Sequence, residues 1–263
     1  MRFFLRKNSS ILTHFISFFF IFAIYVFLLT LLKNEISSID IGGISFDNLS
    51  IILMVILSIF LTLSTFSLFN SKRTFELRKT NYGSYHLIVW KIIYFCFRYK
   101  TISLRFIPIY CQLRIIEMNL FEIKEIYDNI SCDNSYKYTV STINLSAISN
   151  IVNILIEDTY IIKLNELPSN LVQQTIYKLT RDNIESKDRV YSNHIIEVFN
   201  SILRDIDSKI EVVNLFMNTN PITTLELAKR CLFNGSRKTF NYAVFQYNLT
   251  NNPPIWQGPK YTF

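Results

Sequence analysis

Glycine is scarce in this sequence: only five of the 263 residues are glycine, beside six prolines, four cysteines and three histidines. Loops that cradle phosphate groups need glycines at fixed spacings, because the backbone must approach the phosphate closely. No G-x-G-x-x-G, G-x-x-x-x-G-K-S/T, G-x-S-x-G or H-E-x-x-H pattern occurs in the chain. The sequence therefore excludes the familiar nucleotide-hydrolysing and hydrolase motifs.

The four cysteines, Cys96, Cys111, Cys132 and Cys231, are widely spaced and form no C-x-x-C pair. A zinc site needs several Cys or His ligands at short spacings, and a disulfide framework needs a high cysteine density in a short chain. Since neither condition is met, we expect free thiols in a reducing compartment, no metal and no cofactor.

Two long uncharged runs lie near the N-terminus of a chain that is half apolar, with a mean hydropathy of +0.24. They cover residues 11–32 and 49–69, and each is long enough as a helix to cross about 30 Å of hydrocarbon. The first run is too long for a signal peptide, and no small-residue cleavage site follows it. The sequence therefore predicts a membrane protein with a two-helix transmembrane hairpin at residues 1–70 and a cytoplasmic domain at residues 71–263.

The distribution of basic residues predicts the orientation of this hairpin. The first ten residues carry three basic side chains and residues 70–79 carry four, whereas the linker 33–48 has one basic residue against three acidic ones. Basic residues near the ends of transmembrane helices favour the cytoplasmic side. We therefore expect a protein of the cell (inner) membrane with both termini in the cytoplasm and residues 33–48 outside.

Small hydroxylated residues recur at helical spacing in the second run, at Ser50, Ser58, Thr62 and Thr65. Such residues let helix backbones approach closely in lipid, which predicts packing of this stripe against another helix. In the alternative interpretation, each hydroxyl bonds back to a carbonyl of its own helix.

The basic excess is concentrated next to the membrane segments. Residues 70–116 hold nine basic residues against one acidic residue, whereas residues 117–263 hold 14 against 16. Anionic lipid headgroups are the nearest counter-charge, so we predict a membrane-facing surface, with nucleic acid and a plain solvated face as alternatives. The candidate membrane-surface residues are Lys72, Arg73, Arg78, Lys79, Lys91, Arg98, Lys100 and Arg105.

The pattern beyond residue 71 predicts an α+β cytoplasmic domain. Alternation at 86–116 indicates a small antiparallel sheet, and β-branched and aromatic residues from Tyr136 indicate a strand. Helical spacing predicts helices at 118–130, 148–155, 171–179, 198–206 and 223–235. The third follows a Pro168-Ser169 start and the last begins with a T-T-L-E capping box, and the tail from residue 251 is predicted to be irregular.

Arg189 and His194 form an R-x4-H element before the strongest amphipathic helix pattern. This element resembles that of HEPN ribonucleases, helical proteins in which the Arg and the His act on RNA. The resemblance implies a membrane-tethered ribonuclease with these two residues as its catalytic pair. The alternative is a surface arginine and a histidine at a helix N-terminus.

Residues 223–247 hint at a helix-turn-helix, with Ala228 in its first helix and Arg237 and Lys238 opening its second. That pattern predicts a membrane-bound DNA-binding regulator as a further alternative.

The order of elements, a two-helix hairpin followed by a cytoplasmic domain, resembles the membrane effectors of bacterial antiphage and abortive-infection systems. In those effectors the cytoplasmic domain senses a signal or partner and the hairpin perturbs the membrane. Our leading hypothesis is a non-enzymatic effector or scaffold that acts by homo-oligomerisation or through a protein partner on the cytoplasmic domain.

Overall fold

A computed structural model describes most of the chain, namely residues 9–37, 47–77, 85–124, 131–145, 149–184, 190–233, 240–248 and 255–263. Several residues singled out in the sequence lie outside this described part: Arg78, Lys79, Arg189, Arg237 and Lys238. The chain separates into two compact units. Unit 1 comprises Met1–Phe106 with Leu120–Lys124, so it extends past the boundary predicted at residue 70, and unit 2 comprises Ile107–Asn119 with Glu125–Phe263.

The two apolar runs of unit 1 form helices, as predicted. Helix α1 spans Ser9–Ser37 and helix α2 spans Asp47–Asn70. Among the residues whose side chains are described, the stretches apolar enough to cross a membrane are Thr13–Leu31 and Ile52–Asn70. The two helices pack against each other, while large apolar side chains such as Phe19, Phe27 and Phe60 remain exposed.

The rest of unit 1 contains one helix and a small parallel sheet. Strands β1 (Thr74–Phe75), β2 (Thr101–Ile102) and β3 (Glu122–Ile123) pair in that order, and helix α3 spans Leu87–Phe95.

The antiparallel sheet predicted at 86–116 is wrong, because most of that stretch is helical. Helix α3 buries Trp90 and Ile93, which are three residues apart on one helical face. Helix α4 (Ile109–Met118) of unit 2 begins after Pro108 and ends at Asn119, whose φ of 48° lies in the left-handed region. The helix predicted at 118–130 is also wrong where it is described, since Glu122–Ile123 form β3, and residues 125–130 lie outside the described residues.

Unit 2 is built on a six-stranded sheet. Its strands are β5 (Tyr138–Ile143), β6 (Ile151–Glu157), β7 (Thr175–Arg181), β9 (Val212–Asn218), β10 (Asn241–Asn248) and β11 (Ile255–Thr262). They lie in the order β11-β10-β9-β6-β7-β5. The four central strands are parallel and the two edge strands, β5 and β11, are antiparallel to their neighbours. Because its central strands are parallel, the domain is an α/β body and not the predicted α+β one.

The structure confirms the strand predicted from Tyr136, which is β5. The helix predicted at 148–155 is wrong where it is described, because β6 occupies residues 151–155. The helix predicted after Pro168-Ser169 does begin there, as the short helix Ser169–Val172, but it does not continue to residue 179, because β7 begins at Thr175. Strand β6 is buried on both faces, and such a strand shows a continuous apolar run instead of alternation. The tail predicted to be irregular instead contributes the edge strand β11.

Helices and a short strand pair complete unit 2. Strand β4 (Ser131–Cys132) pairs with β8 (Val190–Tyr191), and helix α5 spans Ser169–Val172. The amphipathic helix predicted at 198–206 is confirmed as α6, His194–Asp205, which buries Ile195, Ile196, Phe199, Ile202 and Leu203.

Helix α7 spans Pro221–Leu227 and continues as a π-helix at Ala228–Leu232. Its N-cap is Asn220, whose side chain accepts a hydrogen bond from the Thr223 N–H, so the capping box predicted at T-T-L-E is wrong. The helix-turn-helix is wrong as well, since the residues after 240 form β10, which pairs with β9.

Candidate functional site

Polar side chains gather at the carboxyl ends of the central strands of unit 2. Asp158 follows β6, Arg181 ends β7 and Asn220 follows β9. Tyr138 begins β5 directly opposite Arg181, and His194 begins α6. We call these five residues the carboxyl-edge cluster.

The order of the strands makes this edge a natural ligand site. From β6 the chain continues to β7 on one side, and β9 then pairs with β6 on its other side. In open α/β sheets, ligands bind outside the carboxyl ends of the strands at such a reversal of strand order. Asp158 and Asn220 follow the two strands that flank the reversal.

Asp158 is fully buried and accepts three hydrogen bonds. The Tyr138 hydroxyl donates to Oδ1 at 2.6 Å, and the backbone N–H and the side-chain amide of Asn220 donate to Oδ2 at 3.2 and 2.9 Å. Burial raises the pKa of Asp158 because it disfavours the charged carboxylate, and these donors and the charge of Arg181 oppose that shift.

Tyr138 connects the carboxylate to the histidine. Burial, and then the negative charge and hydrogen bond of Asp158, raise the pKa of the Tyr138 hydroxyl, which therefore remains a donor at neutral pH. The backbone N–H of Tyr138 donates to Nδ1 of His194 at 3.0 Å. In neutral His194 the proton therefore lies on Nε2.

Arg181 is 1% exposed, and its guanidinium lies over the Tyr136 ring, 5.3 Å from the ring centroid. Within the described part of the chain, none of its three guanidinium nitrogens has a hydrogen-bond partner. A buried charge without hydrogen bonds costs several kcal/mol, and guanidinium groups bind carboxylate and phosphate through paired N–H donors. The cluster can therefore accept an anion at Arg181.

A second polar group at the same edge is internally satisfied. Glu157 is fully buried, forms an ion pair with Lys178 at 3.0 Å, and accepts hydrogen bonds from the Thr180 hydroxyl and the Ile162 N–H at 2.7 and 2.6 Å. These partners account for both carboxylate oxygens, so Glu157 serves to fix the loop after β6.

Of the predicted catalytic pair, the structure describes only His194. The His194 ring accepts from the Tyr138 backbone and stacks against the Tyr138 ring at a centroid distance of 6.5 Å. Since Arg189 lies outside the described residues, catalysis by this pair stays a prediction.

The hydroxyl stripe of α2 shows both predicted features, namely bonds back to its own helix and packing against another helix. Ser58, Thr62 and Thr65 each donate to the carbonyl four residues earlier. Ser58 and Thr62 are nevertheless fully buried, and the Thr65 hydroxyl also bonds the hydroxyl of Tyr25 on α1 at 2.7 Å. These three residues of the stripe therefore pack within the helix pair of one chain. The side chain of the fourth, Ser50, is not among the described ones.

The candidate membrane-surface residues that the structure describes all belong to unit 1. Five are exposed and Arg98 is half-buried, with a φ of 58°. The exposed ones are Lys72, Arg73, Lys91, Lys100 and Arg105. Their binding to lipid stays a prediction.

Sequence reasoning missed four members of the carboxyl-edge cluster, namely Tyr138, Asp158, Arg181 and Asn220. The available signal was the polar residues that directly follow apolar runs, at Glu157-Asp158 and at Asn218-Thr219-Asn220. This signal was lost because the first of these runs also fits a helical spacing.

Comparison with known families decides the class of the molecule. A family described as the SMODS- and ubiquitin system-associated 2TM effector domain matches residues 2–255. The chain belongs to this family. It is therefore a membrane effector with two transmembrane helices, which confirms the membrane location and the two spans expected from the sequence. No curated protein sequence matches the chain.

This chain has limited structural similarity to two solved structures of the Acinetobacter baumannii Cap4 receptor. That receptor contains a SAVED/CARF domain, and the two structures hold the cyclic trinucleotides 3'3'3'-cAAA and 2'3'3'-cAAA. Both are 11% identical, with TM-scores of 0.44 and 0.43. Each alignment covers 68% of this chain, which spans 42% of the length of the Cap4 chain.

Proposed function

We propose that unit 2 is a sensor that binds a small anionic signal at the carboxyl-edge cluster and that the helix pair of unit 1 then perturbs the membrane. In this proposal the protein acts in bacterial antiphage or abortive-infection defence, with both termini in the cytoplasm and as a homo-oligomer. Membership of the two-helix effector family supports the membrane output.

The observation that carries the sensing proposal is the buried Arg181 guanidinium, for which the described residues provide no acceptor. An incoming phosphate supplies two acceptor oxygens in the geometry that a guanidinium prefers. The adjacent Tyr136 ring adds an aromatic surface. We therefore propose a phosphodiester ligand, such as a cyclic oligonucleotide, as the signal.

A path of hydrogen bonds, helix packing and chain connections leads from this site to the strands of unit 1. Asn220, which holds Asp158, caps α7, and α7 packs against α4. Helix α4 lies in sequence between β2 and β3, two strands of unit 1. A ligand that repositions Asn220 would act on α7, then on α4, and through the chain on the small sheet of unit 1. Such a route requires a two-state element that the ligand biases, and we propose the α7–α4 pair for that role.

The test compares Arg181→Met with Arg204→Met in the full chain in lipid nanodiscs. Arg204 is an exposed residue of α6 and so provides the same change of charge away from the cluster. We expect 3'3'3'-cAAA to raise the midpoint of thermal unfolding of the wild type and of Arg204→Met, because a ligand that binds the folded state stabilises it. The Arg181→Met variant should show no such rise.

Two outcomes contradict the proposal. Equal stabilisation of all three proteins would place the ligand elsewhere. If none of 3'3'3'-cAAA, inorganic pyrophosphate and AMP stabilises the wild type, the proposal that this edge senses an anion is wrong.

A further inference from the structure

A cavity lies within unit 1 at one end of the helix pair. Its volume is about 220 Å³, and α1 and α2 supply most of its walls. Thr13 lies near the start of the uncharged run 11–32 and Asn70 directly follows the uncharged run 49–69, and both residues line the cavity. The cavity therefore lies at the level where a bilayer changes from hydrocarbon to headgroups.

The lining changes in character along the helices. Polar groups from Thr13, His14, Asn70, Arg73 and Tyr99 lie at the headgroup level. Phe69 lies next to Asn70, and further into the helices the walls are formed by Ile21 and Phe66 beside the hydroxyls of Ser17 and Thr65. The Thr65 hydroxyl is already bonded to the Leu61 carbonyl and the Tyr25 hydroxyl. This sequence of polar and apolar surface matches a phospholipid, whose phosphate and glycerol precede its acyl chains.

Arg73 gives the polar end of the cavity a positive charge. Arg73 and Tyr99 both line the cavity. Burial raises the pKa of the Tyr99 hydroxyl, and the positive charge of Arg73 opposes that rise. That hydroxyl also bonds Nε2 of His14 at 2.8 Å. A phosphate at this position would meet the Arg73 cation, while the Tyr99 hydroxyl is engaged by His14.

The lining also distinguishes between headgroups. Among the ten described residues that line the cavity, none carries a carboxylate, so this part of the lining offers no counter-charge to an amine headgroup. The Ser17 hydroxyl in the lining suits a headgroup that is itself a polyol, whereas the Asn70 amide already donates to the Phe97 carbonyl at 2.9 Å.

We propose that this cavity binds one phosphatidylglycerol-type lipid, with its phosphate at Arg73 and its acyl chain along Ile21 and Phe69. The site differs from the carboxyl-edge cluster, and the proposal rests on the membrane location of the helix pair but not on ligand sensing.

The experiment measures lipid retained by the purified full chain in native mass spectra after exposure to equal amounts of phosphatidylglycerol and phosphatidylcholine. The wild type should retain one phosphatidylglycerol in preference to phosphatidylcholine. Arg73→Gln should lose about fivefold in retention, the effect of one basic residue near a headgroup. Lys72→Gln is the matched control, because this exposed neighbour does not line the cavity.

A second variant separates the cavity from surface charge. Ser17→Leu fills the cavity from α1 without changing any charge, and retention should fall as it does in Arg73→Gln. Both variants should keep the wild-type helical content by circular dichroism.

Three results would overturn the proposal. Equal losses in Arg73→Gln and Lys72→Gln would show diffuse attraction to headgroups, and full retention in Ser17→Leu would place the lipid outside the cavity. Displacement of the lipid by millimolar inorganic phosphate would show a site for free anions instead.

Discussion

Asp158 and Arg181 are buried at the same edge of the sheet but differ in how fully their hydrogen bonds are satisfied. The carboxylate has three donors from Tyr138 and Asn220, whereas the guanidinium has no acceptor among the described residues. Both groups are buried, so each depends on hydrogen bonds that replace those of water. The imbalance at Arg181 is what distinguishes this cluster from the satisfied group around Glu157.

The raised pKa of Asp158 predicts a specific dependence of stability on pH. Protonation favours the folded state, because the folded pKa lies above the ordinary value of 3.8. The stability that this group contributes is therefore present below pH 3.8 and is lost as pH rises through the folded pKa. Asp158→Asn removes the ionisation, so the wild type should lose stability relative to the variant over that window.

The measurement is the midpoint of thermal unfolding of both proteins in detergent, from about pH 3.5 upward, just below the ordinary pKa of an aspartate. Exposed Asp205 provides the matched Asp→Asn substitution on the same unit. A difference between wild type and Asp158→Asn that stays constant with pH would contradict burial as the cause of the shift.

At the scale of the element, the α1–α2 pair depends on small side chains where its backbones meet. Ser58 and Thr62 are fully buried there, and larger side chains would have to displace α1. We expect Ser58→Leu with Thr62→Leu to cost about 1–3 kcal/mol per site through overpacking and to abolish growth arrest on overexpression. Ile59→Leu with Phe60→Leu changes exposed positions of the same helix and should leave growth arrest intact.

His194→Ala completes this comparison. The ribonuclease alternative predicts that growth arrest is lost in His194→Ala and retained in the variant with Ser58→Leu and Thr62→Leu. The effector hypothesis expects growth arrest on overexpression, with no signal added, to survive this substitution at matched expression, because the arrest then depends on the α1–α2 pair and not on ligand binding at the carboxyl-edge cluster. A general acid or base contributes roughly 10² to 10⁴ in rate. Loss of growth arrest and of cellular RNA cleavage in His194→Ala, with arrest retained in the Leu pair, would favour the ribonuclease.

Strands and helices of unit 2 differed in how well the sequence predicted them. Helix α6 has one buried face and one exposed face, so its 3.6-residue period was visible. Strand β6 is buried on both faces between β7 and β9, and its apolar run also fits a helical spacing. The error at β6 therefore follows from its position inside the sheet.

At the scale of the whole molecule, the distribution of basic residues predicts the topology. A cysteine introduced by Ser45→Cys, in the linker 33–48, should react with a membrane-impermeant maleimide in intact cells. Native Cys132 is exposed on unit 2 and should react only after the membrane is permeabilised. If intact cells label Cys132 but leave the introduced linker cysteine unlabelled, the orientation is the reverse of the predicted one.

The sequence by itself determined the two membrane helices, the amphipathic α6 and the strand at Tyr138, because each shows its environment in a local pattern of apolar residues. Only the tertiary structure decided that four strands are parallel and that β6 lies between β7 and β9. That order brings Asp158 to Asn220, 62 positions later in the chain, and places Arg181 beside Tyr138. Pairing between distant strands depends on contacts that no local period encodes, so the carboxyl-edge cluster exists only in the folded sheet.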